Sequence, residues 1–293
     1  MGDQRSAMPP TWPARIRALA AGEYDPPRPR RAATVVLLRQ GAPGVRAYLL
    51  RRRATMAFAA GMYAYPGGAV DPRDAEQHVG WAGPPPQEWA RRLGTDPATA
   101  QAVVCAAVRE TFEESGVLLA GPDGDSVVGD TSGQPWQADR AALEAHELSF
   151  AEFLRARGLV LRSDLLGAWA RWITPEFEER RYDTWFFVAV LPTGQRTADT
   201  TGEADRVVWL DAAEAVAGFE AGRLEMLPPT VTVLRELAPL ATPQAALAAC
   251  AGRSLAPVLA QTRLDGDRVT VRWPGYEQLT VDGFFPADTG GGR

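Results

Sequence analysis

The chain has 293 residues, 46% hydrophobic and 23% charged, with a formal net charge of −5; this suits one large or two small globular domains and rules out a disordered chain. The acidic balance argues against a broad cationic surface for nucleic acid, and no apolar run reaches the roughly 18–20 residues that span a bilayer, so neither partner is expected. All 31 basic residues are arginine, which excludes chemistry built on a lysine amine, such as a P-loop lysine or a pyridoxal phosphate Schiff base.

Residues 1–32 are rich in Pro and Arg and read as an N-terminal arm without the apolar stretch of a signal peptide. Cys105 and Cys250 are far apart in helix-like surroundings, which implies no disulfide framework and a reducing, cytoplasmic location. "TVVLLRQ" (34–40) and "RAYLLRRR" (46–53) form a hairpin pattern around "GAPG". "MYAYPGGAVD" (62–71) is strand-like and breaks at Pro66-Gly67-Gly68, and residues 75–95 read as loop.

A helix is predicted after Asp96 as N-cap, with Pro97 in its first turn and Gly116 as the left-handed stop. "GVLLAG" is a short apolar strand and "PDGDSVVGDTSGQPW" a loop. Ser149 with Glu152, and Asp211 with Glu214, have the capping-box spacing. "LLGAWARWITP", "YDTWFFVAVLP" and "DRVVWLD" read as strands, "PPTVTVLRELAPL" as a helix, and "DRVTVRWPG" with "QLTV" as a late hairpin. The irregular alternation favours a mixed α/β or α+β layered fold over a doubly wound sheet.

The last turn of the long helix, "RETFEESG" (109–116), carries Glu110, Glu113 and Glu114 on one face, because residues three and four apart are helix neighbours. Carboxylates at a helix C-terminus oppose the macrodipole by roughly 0.3–1 kcal/mol each, and Arg109 alone does not balance three of them. A solvated acidic face is one reading. The other is a site for Mg²⁺ or Mn²⁺, which take carboxylate and carbonyl oxygens; the apolar turn before the glutamates and the nearby Gly67-Gly68 bend favour it.

"PGGAVDPRD" followed by "VRETFEESGV" resembles the Nudix box of the Nudix hydrolases, G-x5-E-x7-R-E-U-x-E-E-x-G-U, matched without a gap from Arg109 to Val117. Asp74 replaces the first glutamate, and 34 residues in place of seven separate it from Arg109. Asp74 or Glu76 is thus left to hold the arginine. With "RWITP", "RRYDTWFF" and "MLPPT", the chain is similar to the branch that includes a peroxisomal coenzyme A diphosphatase, although the coenzyme A signature before the box is poorly kept.

The resemblance implies a Nudix-type α/β/α sandwich with a mixed central sheet and inserted loops. It implies a domain at 33–240 with an insert at about 75–95, and a C-terminal extension, 241–293, against it. It further implies hydrolysis of a diphosphate linkage in a nucleoside diphosphate joined to another group, with coenzyme A or its acyl forms as candidates. Carried over by position, Glu110 and Glu114 are metal ligands, Glu113 a ligand or water-orienting base, Gly68 a carbonyl ligand, and Arg109 the residue that orients a glutamate. Glu203 is a candidate further carboxylate. The small-molecule diphosphate is the expected partner, and a homodimer is a candidate assembly.

Other readings keep the fold: an ADP-ribose or nucleotide-sugar pyrophosphatase, or a regulatory module that binds a nucleotide without cutting it. An isopentenyl diphosphate isomerase needs an active cysteine, and Cys105 lies on the apolar part of the box helix. Arg180 and Arg181 are candidates to reach phosphates or to form an exposed turn. Trp172, Trp185 and Trp209 read as core, while Met56, Phe58 and Met62 line the pocket or pack under the sheet. His78 and His146 read as solvent-facing.

Overall fold

The structure, a computed structural model, describes residues 9–55, 59–75, 79–198 and 204–284. Its first half contains α1 (Trp12–Ala20), β1 (Arg30–Gln40), β2 (Val45–Arg52), β3 (Tyr63–Ala64), β4 (Gly67–Ala69), β5 (Trp81–Ala82), α2 (Pro86–Leu93), α3 (Pro97–Ser115) and β6 (Ala120–Gly121). There follow α4 (Gln134–Glu144), α5 (Phe150–Ala156), β7 (Val160–Arg162), β8 (Gly167–Ile173), β9 (Tyr182–Val190), β10 (Ala204–Asp211), α6 (Ala212–Glu220), α7 (Pro228–Leu237) and α8 (Pro243–Ala249). The chain ends in β11 (Val258–Leu259), β12 (Gln261–Asp265), β13 (Arg268–Arg272) and β14 (Val281–Phe284).

Two compact units result, Arg31–Ala170 with Thr184–Leu255, and Met1–Arg30 with Arg171–Asp183 and Ala256–Arg293. In the larger, the sheet runs β10-β2-β1-β9-β8. Antiparallel ladders join β10 to β2 and β2 to β1. The bonds from Arg30 N to Arg181 O and from Leu191 N to Leu38 O advance together along both strands, so β1 and β9 are parallel and the sheet is mixed.

The splaying of β1 from β2 positions the site. They pair at Leu38–Gln40 with Val45–Ala47 and then diverge. Into the wedge go β3, with Ala64 opposite Leu50, and β4, with Gly67 opposite Thr34. The Pro66-Gly67-Gly68 bend is thereby held in mid-sheet, where a Cβ on Gly67 would come within 2.5 Å of the Ala33 carbonyl oxygen. Only glycine fits such a backbone approach.

Alternation along β1 sends Ala33, Val35 and Leu37 to one face, where they pack with α2, α3 and α5. The intervening Val36 and Leu38 are also fully buried, as expected for a sheet covered on both sides. On the second face Trp169, which alternates with Ala168, donates its indole N–H to Glu236 of α7 at 2.7 Å. A three-stranded sheet, β5-β7-β6, completes this unit.

In the smaller unit β12, β13 and β14 form an antiparallel sheet, and β11 pairs in parallel with Trp172–Ile173. Within the N-terminal segment lies α1, whose Trp12 indole N–H donates to Glu178 at 2.7 Å.

Local rules hold at several caps. Asp96 accepts from the Thr99 amide at 2.9 Å, and Ser149 and Glu152 complete their capping box. Two expectations are corrected. The stretch 75–95 contains α2, which buries Trp89, Ala90 and Leu93 on one stripe; its two turns are too short for a clear period in sequence. Asp211 makes no side-chain cap on α6: its Oδ2 accepts both Arg46 Nε and Nη2, at 3.1 and 3.0 Å, which turns the carboxylate toward β2 and leaves the buried Oδ1 without a hydrogen bond among the described residues. Among the described residues no helix is long and apolar enough to cross a membrane.

Candidate active site

Helix α3 passes through the core of the larger unit, and nearly all of its residues from Thr99 to Ser115 are buried. That burial carries the acidic turn away from water. Glu113 and Glu114 are buried and Glu110 is half-buried. The helix stops where the Gly116 amide, at φ 74°, donates to the Phe112 carbonyl.

Arg109 is the hub of the cluster. Its Nε and Nη2 donate to the two Asp74 oxygens, each at 2.9 Å. Nη1 reaches Glu110 at 2.9 Å and both Glu113 oxygens at 3.2 Å, while Nη2 also donates to the Ala69 carbonyl at 3.1 Å. Asp74, whose side chain is only 1% exposed, is held in turn by the Asp71 amide at 2.8 Å.

The glycine bend meets the glutamates directly. The Gly67 amide donates to Glu114 Oε2 at 2.8 Å. At Gly68 an added Cβ would stand 2.5 Å from the Glu110 carboxyl oxygen, so the absence of a side chain there leaves the space that Glu110 fills. The structure thus brings Gly68, Arg109, Glu110, Glu113 and Glu114 together, with Asp74 added.

One guanidinium therefore serves three carboxylates, and Glu114 lies beside them. Burial, reinforced by the Glu113 charge and opposed by Arg109, pushes the Glu110 carboxyl up to about 8. Burial likewise pushes Glu113 up to about 7, with Asp74 and Glu144 adding to the shift. Asp74 is raised by burial against the pull of its Arg109 hydrogen bonds. Burial opposes the Arg109 charge, yet Asp74 and the glutamates leave the guanidinium more firmly protonated than usual.

This donor set suits a hard divalent cation, since it offers oxygen and excess negative charge at a low-dielectric site. Among the described residues no three His, Cys, Asp or Glu side chains stand in a chelating arrangement; the carboxylates face Arg109 and the Gly67 amide. The chemistry of the residues fits the ion, and the geometry shown is that of the hydrogen-bonded cluster.

Other sequence candidates fall elsewhere. Glu203, Glu76, His78, Met56 and Phe58 lie outside the described residues. Arg181 is no phosphate reader: it is buried, and its Nε and Nη1 donate to the Thr174 and Pro27 carbonyls at 3.1 and 3.0 Å. His146 is exposed, yet its Nδ1 lies 3.0 Å from Arg73 Nη2, and its carbonyl accepts Arg73 Nη1 at 3.1 Å. Cys105 is fully buried, which raises its thiol well above the usual range and suits packing. Trp172 and Trp185 are buried and Trp209 is half-buried. The sequence reading missed Arg73 and Asp71, which form their own pair at 2.9 Å beside Asp74; the "DPRD" acid–base spacing was the available signal.

A family profile, the NUDT19 Nudix domain, matches residues 87–237. The acyl-coenzyme A diphosphatase NUDT19 of Gallus gallus is 28% identical over 249 residues, covering 68% of this chain and 65% of that protein. Its namesake in Homo sapiens is 27% identical over 313 residues, covering 89% and 83%. The chain thus spans just under two thirds of the chicken relative. A crystal structure of a Nudix hydrolase from Alicyclobacillus acidocaldarius superimposes with a TM-score of 0.63 at 30% identity, covering 78% of this chain and 99% of that one. With the box geometry assembled around Arg109 and the profile matching more than half of the chain, the protein belongs to the Nudix hydrolase family, with the NUDT19 Nudix domain as its matching type.

Proposed function

We propose that this protein hydrolyses the diphosphate linkage of coenzyme A or an acyl derivative, with Mg²⁺ or Mn²⁺ held by Glu110, Glu114 and the Gly68 carbonyl oxygen. The observation that carries the reading is the charge imbalance at the bend, where the one guanidinium of Arg109 pairs at once with Asp74, Glu110 and Glu113. The substrate class comes from the relatives, which are named acyl-coenzyme A diphosphatases.

A divalent ion in such a site offsets charge on the phosphates and lowers the pKa of a bound water. The chain's own residues supply the rest. Asp74 locks Arg109 by a two-point contact, and Arg109 in turn restrains Glu110 and Glu113. Glu113 serves as a ligand or as the base that orients the attacking water, and the Gly67 amide holds Glu114 in place. Glu203 is retained as a further carboxylate. The catalytic domain is taken as residues 33–240 with residues 241–293 as its extension, acting in the cytoplasm without a nucleic-acid partner, and a homodimer is the candidate assembly.

The test is a panel of coenzyme A, acyl-coenzyme A, ADP-ribose and nucleotide sugars with Mg²⁺ or Mn²⁺, read by product mass. Cleavage between the two phosphorus atoms of coenzyme A yields adenosine 3′,5′-bisphosphate and phosphopantetheine. Turnover of ADP-ribose alone would replace the substrate assignment, and binding without turnover would make the protein a nucleotide-binding module.

A further inference from the structure

The segment Glu225–Thr230, "EMLPPT", lies far from the box in sequence but against the glycine bend in space. Tyr63, at the start of β3, donates its amide to the Glu225 carbonyl at 2.8 Å and bridges Met226 in parallel. Two residues on, Tyr65 donates its hydroxyl to the Thr230 carbonyl at 3.0 Å. Tyr65, Met226 and Thr230 are all buried. From the other side the Val35 amide donates to the Pro66 carbonyl at 2.9 Å. The bend is therefore clamped between β1 and the start of α7, and the Gly67 amide emerges from that clamp onto Glu114 at 2.8 Å.

Building on the metal-site reading above, we propose that Tyr65 is a positioning residue: its hydroxyl, anchored on Thr230, sets the height of the Pro66-Gly67-Gly68 bend and so aims the Gly67 amide at Glu114 and keeps Gly68 against Glu110. A buried tyrosine hydroxyl needs a partner, and the packing of its ring would be equally well served by phenylalanine. The hydroxyl donates to the element that braces the bend. Groups that orient metal ligands typically alter metal affinity by about 10–100-fold when removed; Tyr65 acts through the bend, which puts the expected change near the low end.

The experiment is Mn²⁺ titration calorimetry on the full-length wild type and Tyr65→Phe, without substrate, with thermal melts of both and amide exchange at Gly67 by NMR. The expected result is about a tenfold weaker Mn²⁺ affinity and faster Gly67 exchange in Tyr65→Phe. Half-saturating metal in turnover rises in step, with KM for substrate within twofold. Unchanged affinity with a lowered melting temperature would make Tyr65 a packing residue and overturn the proposal. In the wild type, a Gly67 amide that exchanges as fast as exposed loop amides would do the same without any variant. If the wild type binds no Mn²⁺, the metal-site reading fails; if only the variant binds weakly, both readings stand.

Discussion

Asp74 grips Arg109 through both of its oxygens, each bond 2.9 Å long, across 35 positions of sequence. The pair is almost wholly shielded from water, so the loss of one partner strands the other charge. Removing one member of a buried pair costs about 3–5 kcal/mol. Asp74→Ala is expected to lose that much stability in urea unfolding, whereas Asp71→Ala, at a more exposed pair, loses about 1 kcal/mol or less. Equal losses for the two variants would contradict the central place given to Asp74.

Metal-stripped protein carries a pH signature. Glu110 and Glu113 sit at about 8 and about 7 in the folded state, above the ordinary glutamate value of about 4.3. Between pH 5 and 8 the folded chain thus binds more protons than the unfolded one, and stability falls as pH rises through that window. In EDTA, unfolding free energy is expected to drop on the order of a few kcal/mol from pH 5 to pH 8, and Mg²⁺ to restore most of the loss at pH 8. A stability that stays level or rises across this range in EDTA would refute the burial argument.

The glutamates separate folding from catalysis. Glu114→Gln keeps the side-chain shape and an oxygen for the Gly67 amide, so the folded structure is retained. Metal-dependent turnover of a diphosphate substrate is expected to fall by about 100-fold or more, beyond the range typical of groups that only support metal ligands. Wild-type kcat at saturating Mg²⁺ would reject Glu114 as a ligand.

Gly67 and Gly68 differ in what a methyl group would strike. At Gly67 it meets backbone, the Ala33 carbonyl, whereas at Gly68 it meets the end of the Glu110 side chain. Gly67→Ala is expected to destabilise by about 1–3 kcal/mol because the sheet must yield. Gly68→Ala keeps most of its stability while losing activity, since Glu110 swings aside. Melting curves set against turnover distinguish the two, and a Gly68→Ala enzyme with full activity would remove Glu110 from the site.

The wedge of β3 and β4 between β1 and β2 brings the two halves of the box together despite the 34 residues that separate Asp74 from Arg109. A long surface insertion adds little closure entropy, so the sequence gap does not become a spatial one. The sequence could not choose between Asp74 and Glu76, because proximity across an insertion depends on the path of that loop. Asp74 lies in contact with Arg109 because the Asp71 amide and the buried end of α3 fix its position.

What the sequence determined by itself was what local chemistry dictates. The Asp96 cap, the Gly116 stop, the Ser149 capping box, the hairpin of β1 with β2 and the clustering of three glutamates on one turn each follow from residues within a few positions of one another. Tertiary structure decided whatever depended on competition between distant partners: Asp211 answers to Arg46 and not to its own helix, Arg181 to backbone carbonyls and not to solvent, and the glutamates to Arg109 and Gly67 inside the core. The physical reason is burial. In water those side chains would have many equivalent partners, and only exclusion of water makes a single distant one decisive.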